Sequence, residues 1–425
     1  MKSQLTIDAL RSAVGSMPND GLAAARDAAL KQLNKRGLPN LKDEDWKYTD
    51  LDAVIRISNE WLAAGAKTSL VAVSEIEAVT SSLDLDWLVI GNGTIDADSV
   101  AALQRPGLDI GLLSELDSAP EFDAPLADLN VALLRDGLSI NITADFAAER
   151  PLGILHIDSA DAGVSVSQTR VAINMAAGAQ ASFVEYHASS GTAAHYANSV
   201  VDIDLTADSR VDYVRLQDRS ALHSQTGRLR VDLSERSQFH HATFDFGGDL
   251  IRNDLDIQIN GGDCLAAFSG LYLADKDQHI DNHTRVDHRV GPARSEQEYR
   301  GILSGSARCV WNGKAVVHPG ADGTDANQAN HNLLLSDRSE IDAKPELEIY
   351  ADDVKCSHGT TVGQLDEAAL FYLQTRGIDK STARQLMMRA FAQKIVDISP
   401  ILSIRESISD LVAKRLGQLI TGAGQ

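Results

Sequence analysis

The chain has 425 residues, of which 44% are hydrophobic and 23% are charged, as is typical of folded globular proteins. This length exceeds what one ordinary globular core needs, so we expect several domains or a repetitive fold. The formal net charge of −21 argues against nucleic acid and anionic membrane as main partners, because both would repel the chain.

The beginning of the sequence and its cysteines indicate a reducing compartment. The stretch MKSQLTIDALRSAVGS has no apolar segment of the kind found in signal peptides, and no later run is long enough to span a bilayer. The three cysteines are scattered and odd in number, unlike a secreted disulfide framework. We therefore expect a cytoplasmic protein.

Residues 1–135 are predicted to form a helical and mixed α/β region. An apolar stripe that includes Leu22 and Leu33 predicts a helix, which Gly37 ends. The run from Trp87 to Gly93 predicts a strand followed by a turn. Between them, a polar arm over 39–50 carries Trp46 and Tyr48. We expect this arm to pack on the body of the protein, because no second chemical group is evident beside it.

Residues 136–360 repeat one unit, an alternating strand, a short polar turn and another alternating strand. The last apolar residues before the turns lie 30, 28, 26, 44 and 32 residues apart, and the step of 44 suggests a degenerate unit: Met175, Leu205, Leu233, Ile259, Leu303 and Leu335. A repeat near 28 residues without helices predicts a β-solenoid, in which stacked coils bury continuous apolar ladders. A large antiparallel sandwich is the other fold that fits the turn spacing.

Residues 361–425 are predicted to form a C-terminal helical domain. Asp366 stands at the start of one helix and Gly377 at its end. A second helix begins at Ser381 with a stripe that includes Ala390 and Ile398, and a third carries six apolar residues: Ile404, Ile408, Leu411, Val412, Leu416 and Leu419. We expect the helical regions at the two termini to protect the ends of the solenoid.

The chemically most suggestive residues are Cys356 and His358, on either side of Ser357. In a strand, residues two apart point to the same side, so a thiolate and an imidazole would face one space. These ligands suit iron or another soft or borderline metal, but two ligands make half a site. A buried cysteine beside a hydrogen-bonded histidine is the alternative, and the residues alone favour it because such pairs are common.

Other candidate groups are interpreted as structural. His279, His283 and His288 are expected to form a solvated polar rim, and Cys264 and Cys309 to lie in the core. The sequence contains no G-x-x-x-x-G-K-[ST] motif, so ATP would have to be bound by a partner. It also contains no Cys-x-x-Cys, and a permanent cluster would normally need about four thiolates.

Two stretches resemble the SufB/SufD family, the scaffold proteins of the SUF iron–sulfur cluster assembly system. They are KPELEIYADDVKCSHGTTVGQLDEAALFYLQTRGI (Lys344 to Ile378) and EDWKYTDL (Glu44 to Leu51), and both are most similar to the SufD branch. The resemblance implies a mainly β fold, with a right-handed parallel β-helix flanked by N-terminal and C-terminal helical regions. It also implies a non-catalytic scaffold subunit of a cluster assembly complex.

The partners implied by this resemblance are a SufB-like paralogue and a SufC-like ABC-type ATPase. The paralogue would pair with the last strands, and the ATPase would bind the helical region from Gly363 to about Ile420. No cofactor would be bound permanently, but iron or a nascent cluster would be held transiently at the interface. His358 matches the family position implicated there, and Cys356 is the second candidate. Separately from the resemblance, the edge strands near residue 350 could support pairing of two copies of the chain when the partner is absent.

A carbohydrate-active β-helix enzyme is the alternative function, with paired carboxylates such as Asp202 and Asp204 acting on a polysaccharide. These aspartates occupy ordinary solvent-facing strand positions, and aromatic residues, which stack on sugars, are only 5% of the chain. A SufB-like subunit is disfavoured by the low number of cysteines and by the CSHGTTVG sequence.

Overall fold

A computed structural model describes residues 4–116, 124–161 and 163–422 of the chain. Its helices are α1 (Ile7–Gly15), α2 (Ala23–Arg36), α3 (Asp52–Ala63), α4 (Val73–Thr80), α5 (Ala97–Leu103), α6 (Pro125–Leu133), α7 (Glu367–Thr375), α8 (Lys380–Ile398) and α9 (Arg405–Gly422). None of these helices, within the described ranges, is long and apolar enough to cross a membrane.

The strands dominate the structure. They are β1 (Asp86–Gly91), β2 (Thr94–Ile95), β3 (Leu108–Leu112), β4 (Leu138–Ile142), β5 (Leu152–Ala160), β6 (Ser165–Met175), β7 (Gln180–Gly191), β8 (His195–Leu205), β9 (Arg210–Asp218), β10 (His223–Leu233), β11 (Gln238–Asp245), β12 (Leu250–Ile259), β13 (Cys264–Ala274), β14 (His279–His288), β15 (Ala293–Leu303), β16 (Arg308–Val317), β17 (Asp325–Leu334), β18 (Glu340–Ile349) and β19 (Lys355–Gly363).

Successive strands alternate between two sheets. One sheet has the order β19-β17-β15-β13-β11-β9-β7-β5-β1-β2, and the other has the order β18-β16-β14-β12-β10-β8-β6-β4-β3. All neighbours from β4 and β5 onward pair in parallel, whereas β1–β2 and β3–β4 pair antiparallel. Each coil therefore contributes one strand to each sheet. The predicted β-solenoid, flanked by helical regions, is confirmed, and the antiparallel sandwich is wrong.

The coils stack with their apolar residues in register. Five consecutive even-numbered strands place aliphatic side chains in one column, and each member is at most 1% exposed: Ile173, Ile203, Val231, Ile257 and Val286. Burying one such side chain stabilises the fold by about 1.5–3 kcal/mol. A single coil could not achieve this burial, so the register of the stack is what forms the core.

The predicted degenerate unit does not exist. Met175, Leu205, Leu233 and Ile259 do align on neighbouring strands, but the column continues through His288 and Val317. Leu303 lies in the other sheet, where it aligns with Leu334. The apparent step of 44 residues therefore arose because the chosen apolar positions changed from one sheet to the other.

Most helices cover the outer faces of the sheets, whereas the helical regions were expected to protect the ends; only α5, among the described helices, packs on β1 and β3 against the interior core at the N-terminal end. Helices α3 and α6 pack on β6 and β8, while α8 and α9 pack on the other sheet at β13 and β15. The reason is that apolar side chains also project outward, among them Val214, Phe244 and Leu271, all fully buried. Helix α8 consequently turns Ala392 and Val396 inward and leaves Ile398 47% exposed.

The N-terminal arm packs on the solenoid as predicted. The Arg252 guanidinium lies 4.3 Å from the centre of the Trp46 ring, and its Nη1 donates to the Asp45 carbonyl at 2.8 Å. The reason given for that prediction was wrong, because charged groups do lie beside the arm. The arm and these charged groups line a cleft of about 330 Å³, and Trp46, His283 and Lys344 are among the lining residues.

Histidines enclosed in the solenoid predict a loss of stability in mild acid. Burial lowers the pKa of His195, His241 and His288 to about 4 and that of His223 to about 3. In the unfolded chain these groups bind protons below about pH 6.5. Stability should therefore fall between about pH 6.5 and 4, by about 1.4 kcal/mol per pH unit for each histidine.

Thermal unfolding followed by circular dichroism between pH 8 and 4 measures this effect. The variant His288→Gln, which keeps a polar group beside Ser295, should show a shallower decline of Tm with falling pH. A Tm that stays constant down to pH 4.5 would contradict the prediction.

Candidate functional site

The two ends of the solenoid differ. At the N-terminal end, the short β2 and the antiparallel β3 terminate the sheets. At the other end, and among the described strands, β19 pairs with β17 alone and β18 with β16 alone, so each presents one open edge. Open edges carry unpaired backbone donors and acceptors that favour pairing with another chain. Three apolar side chains near these edges are 42–60% exposed: Ile349, Tyr350 and Val362.

Cys356 and His358 lie on β19, the last strand of the solenoid. Their register partners on β17 are Ala326 and Gln328, which are buried and face the interior of the coil. Register neighbours in a parallel pair point to the same side. Cys356 and His358 thus continue interior-facing columns, but no further coil covers them. His358 is exposed and Cys356 is half-buried.

The residues around this pair belong to the opposite face of the strand. Ser357 donates its hydroxyl proton to Asn327 Oδ1 at 2.6 Å, and Thr361 Oγ1 lies 2.8 Å from His331 Nδ1. Ser357 and Thr361 therefore occupy the outer face of the sheet. The predicted placement of a thiol and an imidazole on one side, with Ser357 on the other, agrees with this register.

The side chains of Cys356 and His358 are of types that can bind a metal ion. Burial raises the pKa of the Cys356 thiol, so the thiol stays protonated at neutral pH until a cation replaces its proton. Among the described residues, the one group of three ligand side chains close enough to share a metal ion lies elsewhere, at His156, Glu185 and His187. Cys356 and His358 would need further ligands from outside the chain.

The sequence motifs did not reveal the group at His156, Glu185 and His187. His156 and His187 come together only because β5 and β7 are neighbouring strands, in which these two residues are register partners. Their separation of 31 residues is close to the coil length. Two histidines separated by one coil length were therefore the signal in the sequence that could have revealed this group.

The other cysteines and histidines are structural. Cys264 and Cys309 are buried free thiols, as predicted. The solvated rim expected at His279, His283 and His288 is wrong, because His288 is fully buried and contacts Ser295 Oγ at 2.9 Å. The N-terminal arm covers this strand, and Thr49 Oγ1 lies 2.8 Å from His279 Nε2.

Asp202, one of the two aspartates considered for the enzyme alternative, is engaged in a salt bridge. Arg170 Nη2 donates to Asp202 Oδ2 at 2.6 Å. A carboxylate held in this way on the outer face of a strand is neither an obvious general acid nor a nucleophile. The structure therefore offers the carbohydrate-active alternative no specific support.

The C-terminal helices present a second apolar surface. Five large side chains between α7 and the segment after α8 are 46–70% exposed: Phe371, Tyr372, Leu386, Ile398 and Leu402. The helices themselves are fixed to the solenoid. Arg300 Nη1 donates to the Phe391 carbonyl at 2.9 Å, and Lys394 Nζ lies 3.1 Å from Glu298 Oε1.

Comparisons with known proteins identify relatives along nearly the whole chain. Residues 156–391 match the family model described as SUF system FeS cluster assembly, SufBD core domain, and residues 8–80 match that of the SufBD protein N-terminal region. The iron–sulfur cluster assembly protein SufD of Escherichia coli is 30% identical over 403 residues, which cover 93% of this chain and 92% of that protein.

Two further relatives are SufBD family proteins of iron–sulfur cluster assembly. The one from Synechocystis is 28% identical over 93% of this chain and 91% of its own length. The one from Mycobacterium bovis is 28% identical, with 89% of each chain covered.

The three cysteines should differ in reactivity. With iodoacetamide in the native protein, we expect Cys356 to be alkylated and Cys264 and Cys309 to be protected until the chain unfolds, because both are buried. Since the pKa of Cys356 is raised, its alkylation should be slow at pH 7 and accelerate above pH 9. Peptide mapping by mass spectrometry measures each site. Protection of Cys356 in the native chain would contradict this placement.

Proposed function

The chain belongs to the SufBD family of the SUF iron–sulfur cluster assembly system, and we propose that it acts there as a non-catalytic scaffold subunit. The family assignment makes it an iron–sulfur cluster assembly protein. In the proposed complex it pairs with a SufB-like paralogue and binds a SufC-like ATPase. We also propose that 1–135, 136–360 and 361–425 act as three functional parts, and that the complex works in the cytoplasm.

The open terminal coil is the observation that carries this proposal. A solenoid whose last two strands each have one open edge gains backbone hydrogen bonds and apolar burial when another chain continues its sheets. A SufB-like paralogue with a similar terminal coil would supply strands next to β18 and β19. It would also cover the exposed side chains of Ile349, Tyr350 and Val362. In its absence, a second copy of this chain would occupy the same edges.

Such pairing would enclose Cys356 and His358. Their side chains face the space between the two sheets, so a paired coil would bring partner ligands toward them and exclude water. One thiolate and one imidazole suit iron and sulfide chemistry, and the partner would supply the remaining ligands. Iron or a nascent cluster would be the cargo held there transiently, with no cofactor retained by this chain alone.

The C-terminal helices would couple this interface to ATP hydrolysis on the partner ATPase. Helix α8 is tied to β15 through the contacts of Arg300 and Lys394. Strand β15 pairs with β17, which pairs with β19. A nucleotide-driven movement of α8 would thus be transmitted through β15 and β17 to β19. It could open the interface for loading or release of the cluster.

Removal of the imidazole should abolish cluster formation without breaking the complex. We expect His358→Ala, co-expressed with the SufB-like and SufC-like partners, to retain the complex but to lose most of its bound iron and sulfide. His331→Ala is the matched control, because His331 lies on the outer face of the adjacent strand. Iron and acid-labile sulfide are measured on the purified complexes. Equal cluster content in wild type and His358→Ala would refute the role of His358.

Charge placed on the C-terminal apolar surface should release the ATPase. Phe371 is 67% exposed, so Phe371→Asp should leave the fold intact. It should weaken ATPase binding by about 10-fold or more, because it removes a large apolar side chain from the proposed interface. Leu70→Asp, at a residue 86% exposed in the N-terminal region, is the control. Titration of labelled ATPase measures both affinities, and unchanged binding by Phe371→Asp would exclude this docking surface.

A further inference from the structure

Glu185, a buried carboxylate on β7, lies beside two buried histidines. Glu185 is 2% exposed, and His156 and His187 are 2% and 0% exposed. His187 is two residues beyond Glu185 on β7, so both face the same side, and His156 is the register partner of His187. The two imidazole rings stack with centroids 4.5 Å apart and planes 7° apart. Both rings therefore stand beside one carboxylate.

The ligand atoms of this group lie close enough to share one ion, all within 4.8 Å of one another. Glu185 Oε1 lies 3.2 Å from His156 Nε2 and 3.0 Å from His187 Nε2. A tetrahedral ion with bonds of about 2.0–2.1 Å separates its ligand atoms by about 3.3 Å. The second oxygen, Glu185 Oε2, accepts a hydrogen bond from the Tyr213 hydroxyl at 3.0 Å. That bond fixes the carboxylate and leaves Oε1 directed at the imidazoles.

The polar atoms at the centre of the group have no well-aligned hydrogen bond. Neither nitrogen of His156, nor Glu185 Oε1, nor His187 Nε2 has a hydrogen-bond partner among the described residues. Leaving a buried polar atom unsatisfied costs about 1–3 kcal/mol. A single cation at the centre would satisfy Oε1 and both Nε2 atoms at once.

A second buried carboxylate, Asp158, differs from Glu185 in having an arginine as a salt-bridge partner. Asp158 is also buried beside a histidine, His195, but it forms a salt bridge with Arg219 at 2.6 Å. The Arg215 guanidinium, on the strand next to Glu185, donates to Asn253 at 2.5 Å instead. Buried charges in proteins are paired or coordinate metals.

We propose that His156, Glu185 and His187 form an internal binding site for a divalent transition metal ion such as Zn²⁺ or Fe²⁺. Two imidazoles and one carboxylate are ligands that such ions favour, and a fourth position remains for water. The site lies inside the solenoid, on other strands than Cys356 and His358, and does not depend on the function proposed for them. Its role is to neutralise Glu185 and to clamp β5 to β7.

One contact and one ring orientation must change when the metal binds. Arg219 Nη2 lies 3.5 Å from His187 Nδ1, and an arginine can only donate there, so this long contact competes with the Nδ1 proton that metal binding at Nε2 requires. A metal ion binds in the plane of an imidazole, but the two stacked rings lie in separate, nearly parallel planes, so one ring must rotate.

Cobalt is the probe that tests the site. The full-length chain carrying Cys356→Ser and His358→Ala, which remove the exposed ligands, is expressed in minimal medium with Co²⁺, because the site is buried. We expect about one Co²⁺ per chain by elemental analysis and the visible absorption of a tetrahedral nitrogen and oxygen site. Glu185→Gln in this background should reduce the bound Co²⁺ at least 10-fold. His223→Gln, a buried histidine outside the group, should not.

A second variant keeps the test decisive if Glu185→Gln fails to fold. Tyr213→Phe leaves the three ligands in place but releases Oε2, and we expect it to speed the loss of Co²⁺ to a chelator about 10-fold or more. A metal-free background protein would overturn the proposal. Full retention of Co²⁺ in Glu185→Gln would overturn it too. Neither result would bear on cluster formation at His358, which is measured with the wild-type residues in the complex.

Discussion

The register of coil on coil is the constraint on which this structure depends. One coil has too little apolar surface to be stable alone, and its inward residues become a core only when the next coil repeats them at the same height. The column from Ile173 to Val286 shows this repetition. This repetition stops at the last coil, because no strand of the described chain pairs with the outer edges of β18 and β19.

In the proposed function, a partner chain pairs with these open edges. In one column, interior positions change from His241 and Phe268 to Gln297 and Gln328, and they end at the exposed His358. A position that would be core in any earlier coil is thus occupied by an exposed imidazole at the open end. The helices leave this end open because the outer faces of both sheets carry apolar residues that need cover. The fold therefore separates a stabilised body from a binding edge.

Much of this architecture could be predicted from local patterns. Alternation and repeat length identify the solenoid, and the caps Asp366 and Gly377 delimit α7 as expected. The pairing of Cys356 with His358 on one side follows from strand geometry alone. The SufD-like signature from Lys344 to Ile378 led to the family, and the comparisons confirm it.

What could not be predicted depends on contacts between distant residues. Periodicity reports which side chains alternate, but not which face another element covers, so the positions of α3 and α8 were missed. It does not say to which sheet Leu303 belongs, and this produced a false gap in the repeat. Likewise, His156 and His187 become neighbours only through stacking.

Hydrogen–deuterium exchange, compared between the free chain and its complex with the SufB-like partner, tests the central claim most directly. The account predicts that protection gained on binding concentrates in β18 and β19, residues 340–363, because the open edges acquire hydrogen-bond partners there. The outer faces of the early coils should not change. Protection confined to other surfaces, with 340–363 exchanging as in the free chain, would contradict the claim that the open end is the assembly interface.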